Sequence, residues 1–189
     1  MSSVQCLQGP FHSKGFGTSI SNWIVPMEAL ELFSCSPNTP QNPPPFPHLA
    51  WPNPSDGALD VKLKVTLIRN GETHALSTSN LKYMYWTPYQ QLTHHAASGC
   101  GMQTGDLIGT GTISGAGRNE KGEKKELGCL YEVEMTGSKV MPEAVDGSGY
   151  QAGYLEDGDE VVLEGWCEDG EGRKVLGFGE CRGVIAPPK

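Results

Sequence analysis

The chain has 189 residues, including 25 glycines and 14 prolines, and its formal net charge is −8. Turn-forming residues at this frequency exclude a protein of long helices and favour short strands joined by turns. The acidic balance argues against a nucleic-acid partner, because a phosphate backbone is itself negative. No apolar run approaches the roughly 20 residues that a membrane span requires, so we expect no membrane partner. The length fits one domain, or one domain and a fragment of another.

Six cysteines are scattered along the chain without a C-x-x-C pair, so the sequence offers no zinc or redox motif. They are too few for a small secreted scaffold held by disulfides, and we expect mostly buried free thiols. Residues 1–5 lack the basic and apolar regions of a signal peptide. Together these features predict a cytoplasmic protein.

The first part of the chain predicts loops and a single helical turn. Residues 1–20 are loop-like, and residues 27–30 follow Pro26 in a way that suits the start of a helix. Residues 36–54 contain eight prolines, which exclude a helix or a central strand there. This segment is either a surface loop or a linker, and its apolar members favour a packed loop: Phe46, Leu49 and Trp51.

The middle of the chain predicts a hairpin followed by a helix. Apolar and polar residues alternate from 59 to 67, the pattern of a half-buried strand, and Asn70-Gly71 is a strong hairpin turn before a return strand near 73–76. Thr87-Pro88 predicts the start of a helix that ends near Ser98 with Gly99 as its cap. Three residues are predicted to share its apolar face: Tyr89, Leu92 and Ala96.

Further strands are predicted at residues 106–115, 130–135, 161–163 and 175–185, the third of them entered through a turn at 155–160. The predicted fold class is therefore mainly β with short helices.

Residues 106–115, DLIGTGTISG, give the most informative chemical signal. Glycine lets the backbone approach a ligand closely, and a threonine hydroxyl such as that of Thr112 both donates and accepts hydrogen bonds. Such a strand end could hold an oxygen-rich small molecule. The alternative is a strand bent by its glycines.

Two charged residues also attract attention. Lys14 lies in a glycine-flanked loop with Thr18 nearby, where it could meet an anionic oxygen, or it could simply be an exposed lysine. Glu132 lies in an apolar stretch, where an inward carboxylate must find a partner and an outward one need not.

Other polar clusters favour structural explanations. His94 and His95 are adjacent on the predicted helix and point about 100° apart, so they cannot easily share a metal ion. The acidic residues between 156 and 160 lack the spacing of a calcium loop and indicate a solvated turn.

These signals occur in an order that resembles the fumarylacetoacetase (fumarylacetoacetate hydrolase) family over nearly the whole chain. The resemblance rests on segments spread from 9 to 181: Gly9-Pro10-Phe11, Lys14-x-Phe16-Gly17-Thr18, Ile20-Ser21-x-Trp23-Ile24-Val25-Pro26-Met27, Met84-Tyr85-Trp86-Thr87, Gln90-Gln91-Leu92-Thr93-His94-His95, Gly99-Cys100, Gly105-Asp106-Leu107, Gly111-Thr112-Ile113-Ser114-Gly115, Asp157-Gly158-Asp159-Glu160-Val161 and Gly177-Phe178-Gly179-x-Cys181.

The resemblance implies a mixed β-sandwich roll, a homodimer, and hydrolysis of the carbon–carbon bond of 4-fumarylacetoacetate to fumarate and acetoacetate in tyrosine and phenylalanine catabolism. It also implies a divalent ion, Mg²⁺ or Ca²⁺, a histidine that activates water, and a glutamate that orients that histidine. Two alternatives stay open: a non-catalytic binding or assembly module, and a hydrolase of a related diketo acid in secondary metabolism.

By position, the resemblance assigns catalytic roles to Lys14 and Glu132, with Glu132 as the histidine-orienting carboxylate, and a substrate contact to Thr112. Near Gly17, it associates Lys14 and Thr18 with the metal. An ammonium group is a poor magnesium ligand, so a substrate contact suits Lys14 better.

The resemblance also predicts that the family's pattern is incomplete here. The family's catalytic histidine, its metal carboxylates and its carbanion-binding arginine and glutamine lie upstream of the Lys14 position. Only thirteen residues precede Lys14, none of them acidic, and His12 does not match the catalytic histidine. We therefore expect residues 1–189 to form a partial catalytic domain and an incomplete roll, with poor stability alone or association through open edges and apolar faces.

Overall fold

The computed structural model of the chain describes residues 17–53, 56–118, 120, 122, 126–135 and 154–188. Its helices are α1 (Met27–Leu30), α2 (Pro88–Ala97) and α3 (Leu130–Met135), with short 3₁₀ turns at Glu31–Phe33, Pro47–Leu49 and Leu81–Tyr83. Its strands are β1 (Ser34–Cys35), β2 (Ala58–Leu59), β3 (Lys62–Arg69), β4 (Glu72–Asn80), β5 (Glu160–Glu168) and β6 (Lys174–Val184). The fold is mainly β, as predicted.

The strands form two antiparallel sheets. β1 pairs with β2, and the larger sheet has the order β4-β3-β5-β6. The β3–β4 hairpin closes at Asn70 and Gly71, which both have positive φ angles, 54° and 81°. That conformation is the reason for the Asn-Gly pair, because it matches the twist of the flanking strands.

The alternation from 59 to 67 does place apolar side chains in the core. Leu59, Val61 and Leu67 are only 1–2% exposed. Two apolar clusters lie toward opposite ends of β3. One is built on Leu67, Leu76 and Leu127, and the other on Leu30, Leu59, Val61 and Cys167.

The proline-rich loop packs against α2, as the sequence predicted. The Trp51 ring stacks on Tyr89 with centroids 4.3 Å apart, and the Gln90 amide donates to the Leu49 carbonyl at 2.9 Å. Phe46 was predicted to help bury the loop, but it is 72% exposed.

Helix α2 begins and ends where predicted, but the predicted buried face is wrong. Thr87 and Gln90 form a reciprocal capping box, and Gly99 follows the helix with φ 79°. Leu92 is 47% exposed and Ala96 is also exposed, whereas Gln90 is buried. Gln90 can occupy the buried position because its side-chain amide forms hydrogen bonds both with the start of the helix and with the proline-rich loop.

Three further predictions need correction. Residues 130–135 were predicted as a strand and form helix α3 instead. Residues 106–115 were predicted as a strand and have no regular structure. The described cysteines are free, as expected, but only Cys167 among them is buried.

Candidate active site

A cavity of about 330 Å³ opens between the segment after β4 and the residues before α3. It is lined by three groups of side chains: the aromatic-rich run Tyr83, Met84, Tyr85 and Trp86; the amide of Gln91; and the segment Thr110, Thr112, Ile113, Ser114 with Glu132. Hydroxyl, amide and carboxylate groups thus converge beside aromatic walls, a composition typical of a small-molecule site.

The glycine–threonine segment reaches this cavity as an irregular loop rather than as a strand. Gly111 has φ 77°, a conformation that residues with a side chain rarely adopt. Its neighbours Thr110 and Thr112 both line the cavity and are exposed to it and to solvent. The segment therefore lines the cavity as an irregular loop where a strand was predicted, and its ligand-facing role stays a prediction.

Glu132 is half-buried in the first turn of α3, and one of its oxygens is held by two donors. The Ser114 hydroxyl donates to Glu132 Oε2 at 2.6 Å, and the Gly128 N–H donates to the same oxygen at 2.8 Å. The Ser114–Glu132 bond holds the glycine–threonine segment against α3. Thr112 and Glu132, separated by 20 residues in sequence, therefore line one cavity.

Sequence reasoning missed several members of this site. Ser114 was part of the quoted glycine–threonine motif but received no role of its own. Met84, Tyr85, Trp86 and Gln91 belonged to motifs of the family resemblance, which assigned them no role in the site. In the sequence, these residues are marked only by being near a helix start or a glycine-rich segment. Nearness along the chain does not show which residues meet in space.

Comparison with known proteins decides the family. A family model described as "Fumarylacetoacetate (FAA) hydrolase C-terminal" matches residues 2–186. The chain belongs to this family. It is similar to proteins named fumarylacetoacetase from Bos taurus (43% identical over 181 residues), Homo sapiens (42% over 181) and Dictyostelium discoideum (41% over 179).

Each of these alignments covers 95% of this chain but only 40% of the relative, so the chain spans about two fifths of the length of the curated relatives it matches. The family resemblance seen in the sequence is therefore confirmed for the C-terminal part of the fumarylacetoacetate hydrolase architecture. Within the described ranges, no helix has the length and apolar character needed to cross a bilayer.

The family resemblance also singled out Lys14, Gly17 and Thr18. Lys14 falls outside the described residues. Gly17 and Thr18 are exposed at the start of the described chain, and neither of them lines the cavity.

The described residues do not fit the divalent ion that the fumarylacetoacetate hydrolase family implies. Mg²⁺ in proteins is usually held by one or two carboxylates together with water or substrate oxygens. In the part of the chain that the structure covers, no group of three or more histidine, cysteine, aspartate or glutamate side chains is placed to hold a metal. Thr18 and a lysine are an inadequate donor set for such an ion, because a single hydroxyl and an ammonium group supply no carboxylate oxygen.

Proposed function

We propose that this chain supplies part of the active site of a hydrolase that cleaves a carbon–carbon bond in a small diketo acid, with 4-fumarylacetoacetate as the substrate. The observation that carries the proposal is the shared cavity of Thr112 and Glu132, the two residues to which the sequence pattern assigns a substrate contact and a catalytic carboxylate. Membership of the fumarylacetoacetate hydrolase family supports the same reaction class.

The chemistry of the lining suits such a substrate. Hydroxyls of Thr110 and Thr112 and the amide of Gln91 can donate to carboxylate and ketone oxygens, while the aromatic wall packs on the flat carbon chain. Donors fixed beside a developing enolate stabilise the departing acetoacetate.

The negative charge of Glu132 limits what it can do in this cavity. A carboxylate beside an anionic substrate repels it unless a cation or a proton donor lies between them. A role behind an imidazole general base, which orients the ring and stabilises its protonated form, avoids that contact. None of the four described histidines lines the cavity, so the proposal requires an imidazole from outside the described residues.

The test combines turnover with binding. Loss of fumarylacetoacetate absorbance is followed with Mg²⁺ or Ca²⁺ present, and bound metal is measured on the purified protein. We expect Glu132→Gln to lower kcat by about 10²-fold or more. We expect Thr112→Val to weaken fumarate binding about tenfold, the effect of one lost hydrogen bond.

Thr104→Val is the matched control, because Thr104 is an exposed threonine that does not line the cavity. Absence of both bound metal and turnover in the wild-type chain would rule out autonomous catalysis. Turnover of another diketo acid with no activity toward fumarylacetoacetate would instead assign the related secondary-metabolic reaction.

A second candidate function, an assembly module, is favoured by exposed apolar side chains near the start of the described chain. Trp23, Ile24 and Leu32 are 70%, 94% and 85% exposed. Large apolar side chains exposed in this way are typical of an association surface, and a homodimer is the expected product. Sedimentation analysis distinguishes the candidates: a stable, cooperatively melting monomer removes the assembly function, and an inactive dimer supports it.

A further inference from the structure

A closed triangle of hydrogen bonds surrounds the Glu132 carboxylate. Its corners are Glu132 Oε2, the Ser114 hydroxyl and the Gly128 amide. The hydroxyl donates to Oε2 at 2.6 Å. The Gly128 N–H donates to both oxygens, with its nitrogen 2.8 Å from Glu132 Oε2 and 3.2 Å from Ser114 Oγ.

The triangle fixes the direction of the Ser114 hydroxyl. Because the Gly128 N–H points at its oxygen, Ser114 accepts there and directs its own hydrogen to the carboxylate. A hydroxyl-to-carboxylate bond as short as 2.6 Å is in the charge-assisted range, stronger than one between neutral partners. The three groups come from two segments, since Ser114 lies in the glycine–threonine segment, whereas Gly128 lies two residues before α3 and Glu132 in its first turn.

We propose that Ser114 is a positioning residue, which holds the Glu132 carboxylate in one orientation at the cavity wall. This inference rests on the proposed role of Glu132 in orienting a general base. Ser114 itself also lines the cavity, but the role assigned to it acts through Glu132.

The physical reason is the freedom of a glutamate side chain. Glu132 has three rotatable side-chain bonds, and an unheld carboxylate near solvent samples several rotamers. A base is effective only when its orienting carboxylate is fixed to within a fraction of an ångström, and misplacement by about 1 Å can cost about 10²-fold in rate. The helix fixes the Glu132 backbone, and the bonds from Ser114 and Gly128 restrict its carboxylate.

The experiment measures the order of the Glu132 side chain by ¹³C relaxation in the full chain, with the signal assigned by its loss in Glu132→Gln. Three variants are compared with wild type: Ser114→Ala, Ser114→Thr, which keeps the hydroxyl, and Ser98→Ala. Ser98 is the control because its hydroxyl donates a bond of similar length, 2.8 Å to the His95 carbonyl, at the end of α2 and outside the cavity lining.

We expect the side-chain order parameter to fall well below its wild-type value in Ser114→Ala and to stay near that value in the other two variants. Where the wild type turns over, kcat of Ser114→Ala should fall about tenfold or more with KM within about twofold, and Ser114→Thr should restore it.

An unchanged order parameter in Ser114→Ala, an equal loss in Ser98→Ala, or failure of Ser114→Thr to restore order overturns the inference. A wild type with an ordered carboxylate that Ser114→Ala releases, but whose fumarate binding Thr112→Val leaves unchanged, supports the positioning role and counts against the proposed function. The two failures are therefore distinguishable.

Discussion

Arg69 and Asp159 form a bidentate ion pair between the end of β3 and the turn that precedes β5. Arg69 Nε lies 2.7 Å from Asp159 Oδ1, and Nη2 bonds to Oδ2. Asp159 is only 1% exposed, and its Oδ2 also accepts from the Glu156 N–H at 2.7 Å. The pair therefore ties the turn to the central strand and satisfies both charges in a place that water hardly reaches.

Removal of one partner of this pair should be costly. Asp159→Asn keeps the shape but removes the buried counter-charge of Arg69 and leaves the exposed Glu156 carboxylate, 3.0 Å away, so we expect the free energy of unfolding to fall by about 3 kcal/mol. Urea unfolding at neutral pH measures the change. Glu180→Gln is the control, because it removes the exposed Arg182–Glu180 pair, which water already screens. Equal effects in both variants would contradict the importance of burial.

The same pair predicts acid sensitivity. Hydrogen bonding from Arg69 holds the pKa of Asp159 below its usual value of 3.8. The unfolded chain therefore takes up the proton first as pH falls, so the stabilisation is present above about pH 4 and is lost as pH drops through the folded pKa. We expect Asp159→Asn to show a smaller decrease in unfolding free energy between about pH 5 and about pH 3 than wild type.

Acid sensitivity should not vanish completely in that variant. Burial raises the pKa of Asp60, but hydrogen bonds from Asn80 and Lys82 outweigh it and leave the pKa lowered. This second carboxylate loses its contribution in the same direction as pH falls. Identical pH dependence of the wild type and Asp159→Asn would contradict the prediction for Asp159.

Strong local signals in the sequence predicted the hairpin and the start of α2. Asn70-Gly71 demands positive φ angles, and Thr87-Pro88 combines a cap with a preset backbone, so neither depends on distant contacts. Residues 130–135 failed because six residues of alternating character do not distinguish a strand from a helical turn. In the helix, Glu132 accepts hydrogen bonds from Gly128 and Ser114. Periodicity in the sequence cannot detect such contacts.

The candidate site could be predicted only where the family resemblance named a residue. Thr112 and Glu132 were found in this way, and the structure places both at one cavity. Tyr85 and Gln91 were not assigned to the site. Their place in it depends on the path of the chain between β4 and α2 and on the glycine–threonine segment, which follows α2 and returns to the cavity. Composition and spacing contain no information on that path.

Gln90 should control the anchoring of the proline-rich loop. Its amide and that of Gln41 bond reciprocally at 2.8 and 2.9 Å, and its side chain also caps α2. Gln90→Met keeps the bulk and removes these bonds, so we expect faster proteolysis within residues 36–53 and a loss of about 1–3 kcal/mol in stability. Mass spectrometry of the fragments identifies the cleavage sites.

The neighbouring substitution provides the control for the loop. Gln91→Met alters an adjacent glutamine whose side chain donates one long bond, 3.4 Å, to the Trp86 carbonyl. We expect its proteolysis rate to stay near that of wild type. Equal rates for the two variants would show that the loop does not depend on Gln90.

Gly128 should tolerate no side chain, because a Cβ there would lie 2.8 Å from Ile113 N and 2.9 Å from Ile113 C, both backbone atoms. Gly128→Ala must therefore separate the glycine–threonine loop from the start of α3 and lengthen the bond from the Gly128 N–H to Glu132. We expect a loss of about 1–3 kcal/mol in unfolding free energy. Gly109→Ala is the matched control in the same loop, because its added Cβ meets nothing within 4 Å. Urea unfolding of both variants, with the ¹H–¹⁵N signal of residue 128 as a local probe, tests the prediction. An alanine at 128 as stable as the alanine at 109 would mean that the two segments are not in close contact.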